Sequence, residues 1–270
     1  METSIIDHVK RMIELGKEII LNNPILSEEM GTTNAKGDKT IAMDAKIEDA
    51  LVEYIKKNNI AANIFSEEIG EIKFHADPKF LISFDPLDGS TNYKIGKNIY
   101  PYGLLIAVYE GTSPKLKDVV AAGAVEYSQN LIWYYDQGKT YTDTGEVVVL
   151  KPDWEVSKST PFFLDLYYKE GYELYRPLAQ QIFIRNIGST IGNLSYVLSN
   201  IASGLGGVSM RPEEIGAIYS LVKGAGGITV DHKGNDIGEN KFSPETNHQI
   251  LAGAKNIVEH AVGLLSQSID

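Results

Sequence analysis

The chain has 270 residues, of which 43% are hydrophobic and 25 are glycine, a composition typical of one large folded domain or two smaller ones. Its 36 acidic and 25 basic side chains give a net charge of −11, which argues against nucleic acid as a partner, because that affinity depends on cationic side chains. No stretch approaches the roughly 18 apolar residues of a membrane span, and the N-terminus alternates charged with apolar residues, so we expect a cytoplasmic protein with no membrane association.

The sequence contains no cysteine, which excludes disulfides, thiolate nucleophiles and thiolate metal sites. Its five histidines, at positions 8, 75, 232, 248 and 260, show no metal-ligand spacing. A metal would therefore be held by oxygen atoms, which favours a hard cation such as Mg²⁺.

The N-terminal pattern predicts two helices separated by a loop. Apolar spacing predicts an amphipathic helix at residues 2–21, and the polar, glycine-containing residues 31–40 predict the loop. In the helix that follows, to about Lys57, Asp44 shares its face with Ile47, Leu51 and Ile55. An inward, unpaired charge is costly, so Asp44 is a candidate site residue, although a first-turn acid also suits the helix dipole.

Two short apolar runs, which we interpret as strands, end in acids. Residues 61–65 are followed by Ser66-Glu67-Glu68, and residues 80–84 are followed by Asp85. Open α/β sheets build their binding sites at the carboxyl ends of strands, so these acids are candidate site residues.

The rest of the pattern predicts an α/β fold in two halves. Strands are predicted at residues 102–109 and 119–127 and a hairpin at 131–142, and the polar, proline-containing residues 151–160 mark a boundary. Residues 1–150 would form the first half and residues 151–270 the second half. In the second half we predict strands at 162–165, 182–185 and 227–231 and helices near 171–181, 190–203 and 213–224.

The sequence FDPLDGSTN, residues 84–92, places two acids three residues apart around a proline. Pro86 stiffens a turn in which Asp85 and Asp88 can converge, and the Leu87 carbonyl between them is a third hard oxygen. Two divalent cations about 3.5–4 Å apart need such a cluster, to which the acids described above could contribute.

After these acids, Gly89 lets the backbone approach a ligand closely, and Ser90, Thr91 and Asn92 can open a helix whose amides point at an anion. Cations and amides together would hold a phosphate. The alternative is a solvated turn, because Asp-Pro-x-Asp-Gly is also a common loop sequence.

Taken in order, Glu67-Glu68, DPLDGSTN and the Gly226-Gly227 that closes a helix resemble the lithium-sensitive, Mg²⁺-dependent phosphatase superfamily of inositol monophosphatases and fructose-1,6-bisphosphatases. The resemblance extends from Gly37-Asp38-x-Thr40-x-x-x-Asp44 to Asn247-His248-Gln249-Ile250 and is closest to small archaeal or bacterial-type members with dual activity. It implies an α/β (α+β) fold, a layered αβαβα sandwich of the sugar-phosphatase type with two mixed-sheet halves and the site between them. It also implies two or three Mg²⁺ ions, with Mn²⁺ as an alternative, and a homodimer. In this arrangement residues 1–150 would carry the metal-binding carboxylates, and residues 151–270 would carry the substrate pocket and the last metal ligand.

The resemblance also implies roles for individual residues. Metal ligation falls on four positions: Glu67, Asp85, the Leu87 carbonyl and Asp88. Catalytic roles around the attacking water fall on Asp44, Ser90, Glu68 and Asp38, the last two as in the bisphosphatase branch. Phosphate contacts fall on Gly89, Ser90 and Thr91.

The run Arg185-Asn186-Ile187-Gly188-Ser189 resembles the Arg-Ser-Val-Gly-Thr of the monophosphatases, whose Gly-Thr portion lines the polyol pocket. Gly188 and Ser189 are therefore expected to bind substrate. A strand-to-helix turn with an N-cap would use the same two residues.

The chain departs from the monophosphatase pattern near its last ligand, where Glu213-Glu214 replaces a Trp-Asp pair. Glu214 falls at the ligand position, as a glutamate does in the bisphosphatases, although first-turn acids after Pro212 would also favour the helix dipole. Arg211 could bind a second phosphate of the substrate, or it could pair with one of these two glutamates.

We therefore expect a Mg²⁺-dependent phosphomonoesterase that hydrolyses a small phosphate ester by in-line attack of water, with inositol 1-phosphate, fructose 1,6-bisphosphate or both as substrate. The resemblance implies inhibition by Li⁺. The alternatives are a 3′-phosphoadenosine 5′-phosphate phosphatase of the same superfamily, or a homologue without catalytic activity that binds metal or polyol.

Overall fold

The computed structural model describes residues 3–23, 29–33, 39–166 and 168–267. Its helices are α1 (Ile5–Asn22), α2 (Ala42–Lys57), α3 (Ser90–Gly96), α4 (Lys169–Tyr175), α5 (Thr190–Leu198), α6 (Pro212–Gly224) and α7 (Lys255–Ser266). Its strands are β1 (Glu29–Thr33), β2 (Lys39–Ile41), β3 (Ala62–Ser66), β4 (Gly70–Ile72), β5 (Phe80–Asp88), β6 (Gly103–Glu110), β7 (Val119–Glu126), β8 (Leu131–Asp136), β9 (Lys139–Thr142), β10 (Pro161–Leu164), β11 (Phe183–Arg185), β12 (Gly204–Met210), β13 (Ile228–Val230) and β14 (His248–Gly253).

The strands form two mixed sheets and one separate pair. The larger sheet has the order β4-β3-β5-β6-β7-β8-β9, in which β3 and β5 are parallel and the other neighbours are antiparallel. The smaller sheet has the order β11-β10-β12-β14-β13, in which β10 runs parallel to both β11 and β12. β1 and β2 pair antiparallel to each other.

Sheets and helices stack in five layers with an apolar core at each junction. α1 and α2 cover one face of the larger sheet, α5 and α6 lie between the two sheets, and α4 and α7 cover the outer face of the smaller sheet. The predicted layered αβαβα sandwich with two mixed sheets is therefore confirmed. The division into halves at residues 150 and 151 stays a prediction.

The outer helix α1 has the one-sided apolar pattern of a helix that covers a sheet. The hydroxyl of Ser4 caps it by accepting a hydrogen bond of 3.3 Å from the amide of Asp7. Its buried apolar side chains, Val9, Met12, Ile13 and Ile20, face the larger sheet and α2. The predicted helix at residues 2–21 thus begins a turn late, at the residue that follows its cap.

The central helix α6 is apolar nearly all round, because a sheet packs on each side of it. Every residue from Pro212 to Val222 is buried. Two of these buried residues, Glu213 and Glu214, are acids in the first turn. The N-terminal end of α6 therefore places two carboxyl groups inside the protein.

Several elements differ from the sequence prediction. Residues 31–33 and 39–40, predicted as loop, belong to the β1–β2 pair, whose short polar strands show no apolar alternation. The helix predicted near 171–181 is split, because Pro177 separates α4 from a short 3₁₀ turn at Leu178–Gln180. The sequence also failed to predict β4, β12, β14 and α7.

The helix predicted at 190–203 ends at Leu198, because Asn200 adopts a left-handed φ of 55°. The chain then enters β12, whose glycines hide the strand pattern. At Gly204 a Cβ would lie 2.8 Å from the Ala252 carbonyl oxygen, so the close approach of β12 and β14 requires glycine there.

Gly216 on α6 offers a test of this packing. A Cβ at Gly216 would lie 2.1 Å from the hydroxyl oxygen of Tyr109, which is fully buried and has no room to move. We expect Gly216→Ala to lower the free energy of unfolding by about 1–3 kcal/mol through overpacking, measured by urea denaturation. Gly263→Ala is the matched control, because Gly263 is exposed on α7 with nothing within 4 Å of its added carbon, and helix propensity favours alanine there. Equal stability of the two variants would contradict the tight α6 packing.

Candidate active site

The two acids of the DPLD segment lie on one continuous strand. β5 pairs with β6 at Asp85↔Leu105 and again at Asp88↔Gly103, so two residues of β5, Pro86 and Leu87, lie opposite one residue of β6. This bulge brings together two side chains that an odd spacing would send to opposite faces of a regular strand. The predicted turn around Pro86 is therefore wrong, because β5 continues through Pro86 as a bulged strand. The predicted convergence of Asp85 and Asp88 does occur.

Glu214 completes a carboxylate cluster with these two acids. One oxygen from each of Asp85, Asp88 and Glu214 lies within 4.8 Å of the others, and all three residues are buried. Burial raises the pKa of each acid, and neighbouring negative charges add to the rise for Asp85 and Glu214, so that the pKa of Glu214 rises to about 8.

Two protein groups donate hydrogen bonds to one carboxylate oxygen of Asp88. Its Oδ2 accepts hydrogen bonds of 2.6 Å from the Ser189 hydroxyl and 2.7 Å from the Ile191 amide, which oppose the rise in its pKa. The Ser189 hydroxyl also caps α5 by accepting a bond of 3.1 Å from the Gly192 amide. The N-cap alternative for Ser189 is therefore observed, while substrate binding by Gly188 and Ser189 stays a prediction.

Arg211 precedes α6 and lies between two predicted metal ligands. Its amide donates a bond of 3.2 Å to Glu214 Oε2, and its guanidinium forms an ion pair with Glu67 and lies 4.0 Å from Glu213. The sequence offered a glutamate of α6 as the alternative partner, but the close partner is Glu67, on the turn between β3 and β4. Arg211 thus connects the turn of the larger sheet to the first turn of α6.

Helix α2 supplies a second group of buried acids. The pKa of Asp44 is raised to about 8, chiefly by burial and further by Glu68 and Glu48, and its carboxylate accepts a bond of 3.1 Å from the Ile41 amide. Glu48 lies one turn further along, where its carboxylate accepts hydrogen bonds from the Ser66 hydroxyl and the Ile69 amide. These two donors flank Glu67 and Glu68 in sequence, so Glu48 fixes the turn that carries them.

A cleft of about 380 Å³ opens over these acids. The predicted site residues that the structure describes all line it: Asp44, Glu67, Glu68, Asp85, Leu87, Asp88, Gly89, Ser90, Thr91, Gly188, Ser189, Arg211 and Glu214. The remaining predicted residue, Asp38, lies outside the described residues.

The start of α3 forms one wall of the cleft. Gly89 has a left-handed φ of 76°, and a Cβ on it would lie 3.0 Å from both the Pro101 carbonyl oxygen and the Ser189 hydroxyl, so this position requires glycine. Ser90 and Thr91 begin the helix, where backbone amides have no partner within the helix. The position of Ser90 beside the acid cluster therefore agrees with the predicted arrangement of cations and amides.

Sequence reasoning missed other residues of the cleft, among them Lys94, Asp165, Tyr168 and Ser209. Asp165 follows β10 directly, and the rule that selected Asp85 at a strand end would also have selected it. Glu48 was missed as well, although its spacing of four residues from Asp44 places both on one face of α2.

The residues of the cluster fit a divalent cation. Three buried carboxylates at this separation repel one another strongly unless protons or cations neutralise them. The donor atoms are all oxygens, which suits hard cations such as Mg²⁺. Asp85, Asp88 and Glu214 would hold the ion.

Proteins of solved structure share this fold. An inositol monophosphatase-fructose 1,6-bisphosphatase of solved structure matches with a TM-score of 0.80 at 19% identity, covering 97% of this chain and 100% of that one. The extragenic suppressor protein SuhB from Bartonella henselae also matches with a TM-score of 0.80, at 17% identity, covering 97% and 98% of the two chains. The fold is therefore that of the inositol monophosphatases and fructose-1,6-bisphosphatases.

Curated relatives add similarity in sequence. The fructose-1,6-bisphosphatase/inositol-1-monophosphatase of Thermococcus kodakarensis is 28% identical over 231 residues, which cover 84% of this chain and 82% of that protein. A class 1 fructose-1,6-bisphosphatase of Geobacter metallireducens is 24% identical over 88% of this chain and 83% of its own. No family model matches the chain. The predicted resemblance to this superfamily, and with it the class of phosphoric monoester hydrolases, is confirmed.

No helix in the described part of the chain is both long enough and apolar enough to span a membrane.

The acids of the cleft predict how metal and pH affect stability. The pKa values of Asp44 and Glu214 are about 8 in the fold, against ordinary values of 3.8 and 4.5. An acid with a raised pKa stabilises the fold fully below its unfolded pKa, and this stabilisation is lost as the pH rises through the folded pKa. We therefore expect excess Mg²⁺ to raise the melting temperature of the metal-free protein more at about pH 8.5 than at about pH 6, measured by calorimetry.

The Glu214→Gln variant is the control, since it removes one titrating group and should shrink the difference between the two pH values. An equal effect of Mg²⁺ at both pH values would contradict the role of these acids.

Proposed function

We propose that this protein is a Mg²⁺-dependent phosphomonoesterase that hydrolyses small sugar or polyol phosphates, with both inositol 1-phosphate and fructose 1,6-bisphosphate as substrates. The observation that carries the proposal is the buried cluster of Asp85, Asp88 and Glu214 beside Ser90 at the start of α3. Two or three Mg²⁺ ions, or Mn²⁺ in their place, would occupy the cleft.

When bound, the divalent cations supply the positive charge that activates a water molecule and neutralises the phosphoryl oxygens. The residues that would hold the metal ions are Asp85, Asp88, Glu214, Glu67 and, through its carbonyl, Leu87. The carboxylate of Asp44 and the hydroxyl of Ser90 orient the attacking water, with Asp38 and Glu68 assisting. The backbone at Gly89, Ser90 and Thr91 binds the phosphate. Catalysis thus rests on position and electrostatic field, and no side chain is needed as a nucleophile.

Two features support the proposed dual substrate range. The Thermococcus kodakarensis relative carries both activities in its name. In this chain, a glutamate at position 214 resembles the bisphosphatases, while Gly188-Ser189 resembles the monophosphatases. We further propose that the protein acts as a homodimer in the cytoplasm.

Two other functions agree less well with the site. A 3′-phosphoadenosine 5′-phosphate phosphatase would need a surface for adenine, and none is evident in the sequence. A metal- or polyol-binding homologue without catalysis would have no use for the buried Asp44 or for Ser90 beside the acids. Measuring phosphate release from a panel that includes 3′-phosphoadenosine 5′-phosphate separates these candidates.

The central test is Asp88→Asn. The asparagine oxygen can still accept the bonds from Ser189 and Ile191, while an uncharged amide group replaces the other carboxylate oxygen. We expect loss of Mg²⁺-dependent phosphate release from inositol 1-phosphate, by at least about a hundredfold, with an unchanged fold by circular dichroism. Glu53→Gln, an exposed acid of α2 away from the cleft, should retain activity.

Wild-type turnover by Asp88→Asn at limiting Mg²⁺ would contradict the metal assignment.

In the same assay, excess Li⁺ should inhibit the wild-type enzyme, because a monovalent ion at one Mg²⁺ position leaves too little positive charge for the leaving group. Unchanged hydrolysis in excess Li⁺ would remove lithium sensitivity from the proposal.

Arg211→Ala tests how the two substrates differ. The Arg211 side chain is 30% exposed beside the cleft, so it can reach a second phosphate while it remains near Glu67. A lost hydrogen bond between charged groups is worth roughly 1.5–3 kcal/mol, so we expect kcat/KM for fructose 1,6-bisphosphate to fall about tenfold to a hundredfold and that for inositol 1-phosphate to change little.

Comparing two substrates in one variant cancels general damage to the protein. An equal loss on both would show that Arg211 acts by holding Glu67 in place, as their ion pair permits.

A further inference from the structure

Asp165 lies in the cleft but has no place in the chemistry described above. It directly follows β10, and β10 runs parallel to β12, whose carboxyl end leads to Arg211 and α6. The carboxyl ends of parallel strands share one edge of a sheet, so Asp165 belongs to the wall of the cleft that the smaller sheet provides.

Contacts with three glycines fix the position of Asp165. A Cβ on Gly171 would lie 2.3 Å from the Asp165 carbonyl oxygen, so α4 packs directly on its backbone. The Asp165 amide donates a bond of 3.2 Å to the Gly206 carbonyl oxygen. A Cβ on Gly207 would lie 2.7 Å from Met210 Cε and 2.9 Å from Asp165 Oδ2, so the carboxylate and Met210 together occupy the space that a side chain on β12 would fill.

The carboxylate of Asp165 has no hydrogen-bond or ion-pair partner among the described residues. Its pKa is raised to about 6, first by burial and then by the negative charge of Asp88, and no cation opposes the rise. It also stands apart from the three acids whose oxygens lie within 4.8 Å of one another. The group is therefore available to a ligand in the cleft.

The negative charge of Asp165 determines which part of a ligand it can bind. A lone carboxylate repels a phosphate group, which the acid cluster and the start of α3 would bind on the other wall. A sugar or polyol attached to that phosphate is neutral and rich in hydroxyl donors, and a carboxylate accepts hydrogen bonds from two of them.

We propose that Asp165 is a specificity-determining residue that accepts hydrogen bonds from hydroxyl groups of the substrate's sugar or polyol part. This inference rests on the proposed phosphatase function. It deepens that function by selecting phosphate esters of polyhydroxylated compounds over esters of apolar alcohols and phenols. Gly207 contributes because it has no side chain that would crowd the Asp165 carboxylate.

The test compares Asp165→Asn with the wild type on esters that share the phosphate but differ in hydroxyl groups. Inositol 1-phosphate and fructose 1,6-bisphosphate carry hydroxyls, and 4-nitrophenyl phosphate carries none on its leaving group. We expect KM for the polyhydroxylated esters to rise about tenfold with little change in kcat, because a bond to a charged acceptor is lost, while both constants for 4-nitrophenyl phosphate stay unchanged.

Gly207→Ala is the second variant, since its added methyl crowds both the carboxylate and Met210 and should reproduce the same split between substrates. Glu170→Gln, an exposed acid on the neighbouring α4, is the matched control and should behave as wild type. Melting temperatures of all variants monitor the fold.

An equal loss on all three esters would overturn the assignment and make Asp165 a structural residue. An unchanged KM for the polyhydroxylated esters in Asp165→Asn would also overturn it. A wild-type protein that hydrolyses none of the esters with Mg²⁺ would instead refute the proposed function itself, and the two failures are thereby distinguished.

Discussion

Repulsion among buried carboxylates is the constraint on which the site depends. Asp85, Asp88 and Glu214 are removed from water and lie close enough for each to raise the cost of charging the others. Each acid accepts a hydrogen bond from a backbone amide. The donor to Asp85 is Leu87 in the same strand, the donor to Asp88 is Ile191 at the start of α5, and the donor to Glu214 is Arg211 before α6. These donors stabilise one oxygen of each acid and leave the repulsion in the middle of the cluster for a cation to relieve.

The five layers of the fold bring these acids together from distant parts of the sequence. The larger sheet supplies Asp85 and Asp88, and α6, packed between the two sheets, carries Glu214 to the same place. α2 contributes Asp44 from the outer layer and, through Glu48, holds the turn that bears Glu67 and Glu68. Burial of the helices and strands thus does more than stabilise the chain, because it fixes the spacing of charges that would otherwise separate.

Much of this arrangement could be read from the sequence, because the acids follow apolar runs and a glycine-containing motif of fixed spacing. The resemblance to a known superfamily then supplied the layered fold and Glu214. The sequence could not show that β5 bulges and continues, since a proline between two acids suits a turn equally well. β12 was invisible because its glycines serve close contacts with β14 and carry no apolar pattern. The Arg211–Glu67 pair joins residues 144 positions apart, and no local signal specifies such a partner.

The bonds across the cleft have a mechanical consequence. Asp88 on the larger sheet is bound by Ser189 and Ile191, and the side chain of Asn92 donates a bond of 2.8 Å to the Ile187 carbonyl oxygen. All three acceptor–donor pairs join the segment around α3 to the segment that begins α5. Separating these two segments would expose a buried carboxylate and uncap a helix, so the wall of the cleft that they form is held in place before any ligand binds. Selectivity at this wall then comes from its shape and polarity rather than from movement of the two segments.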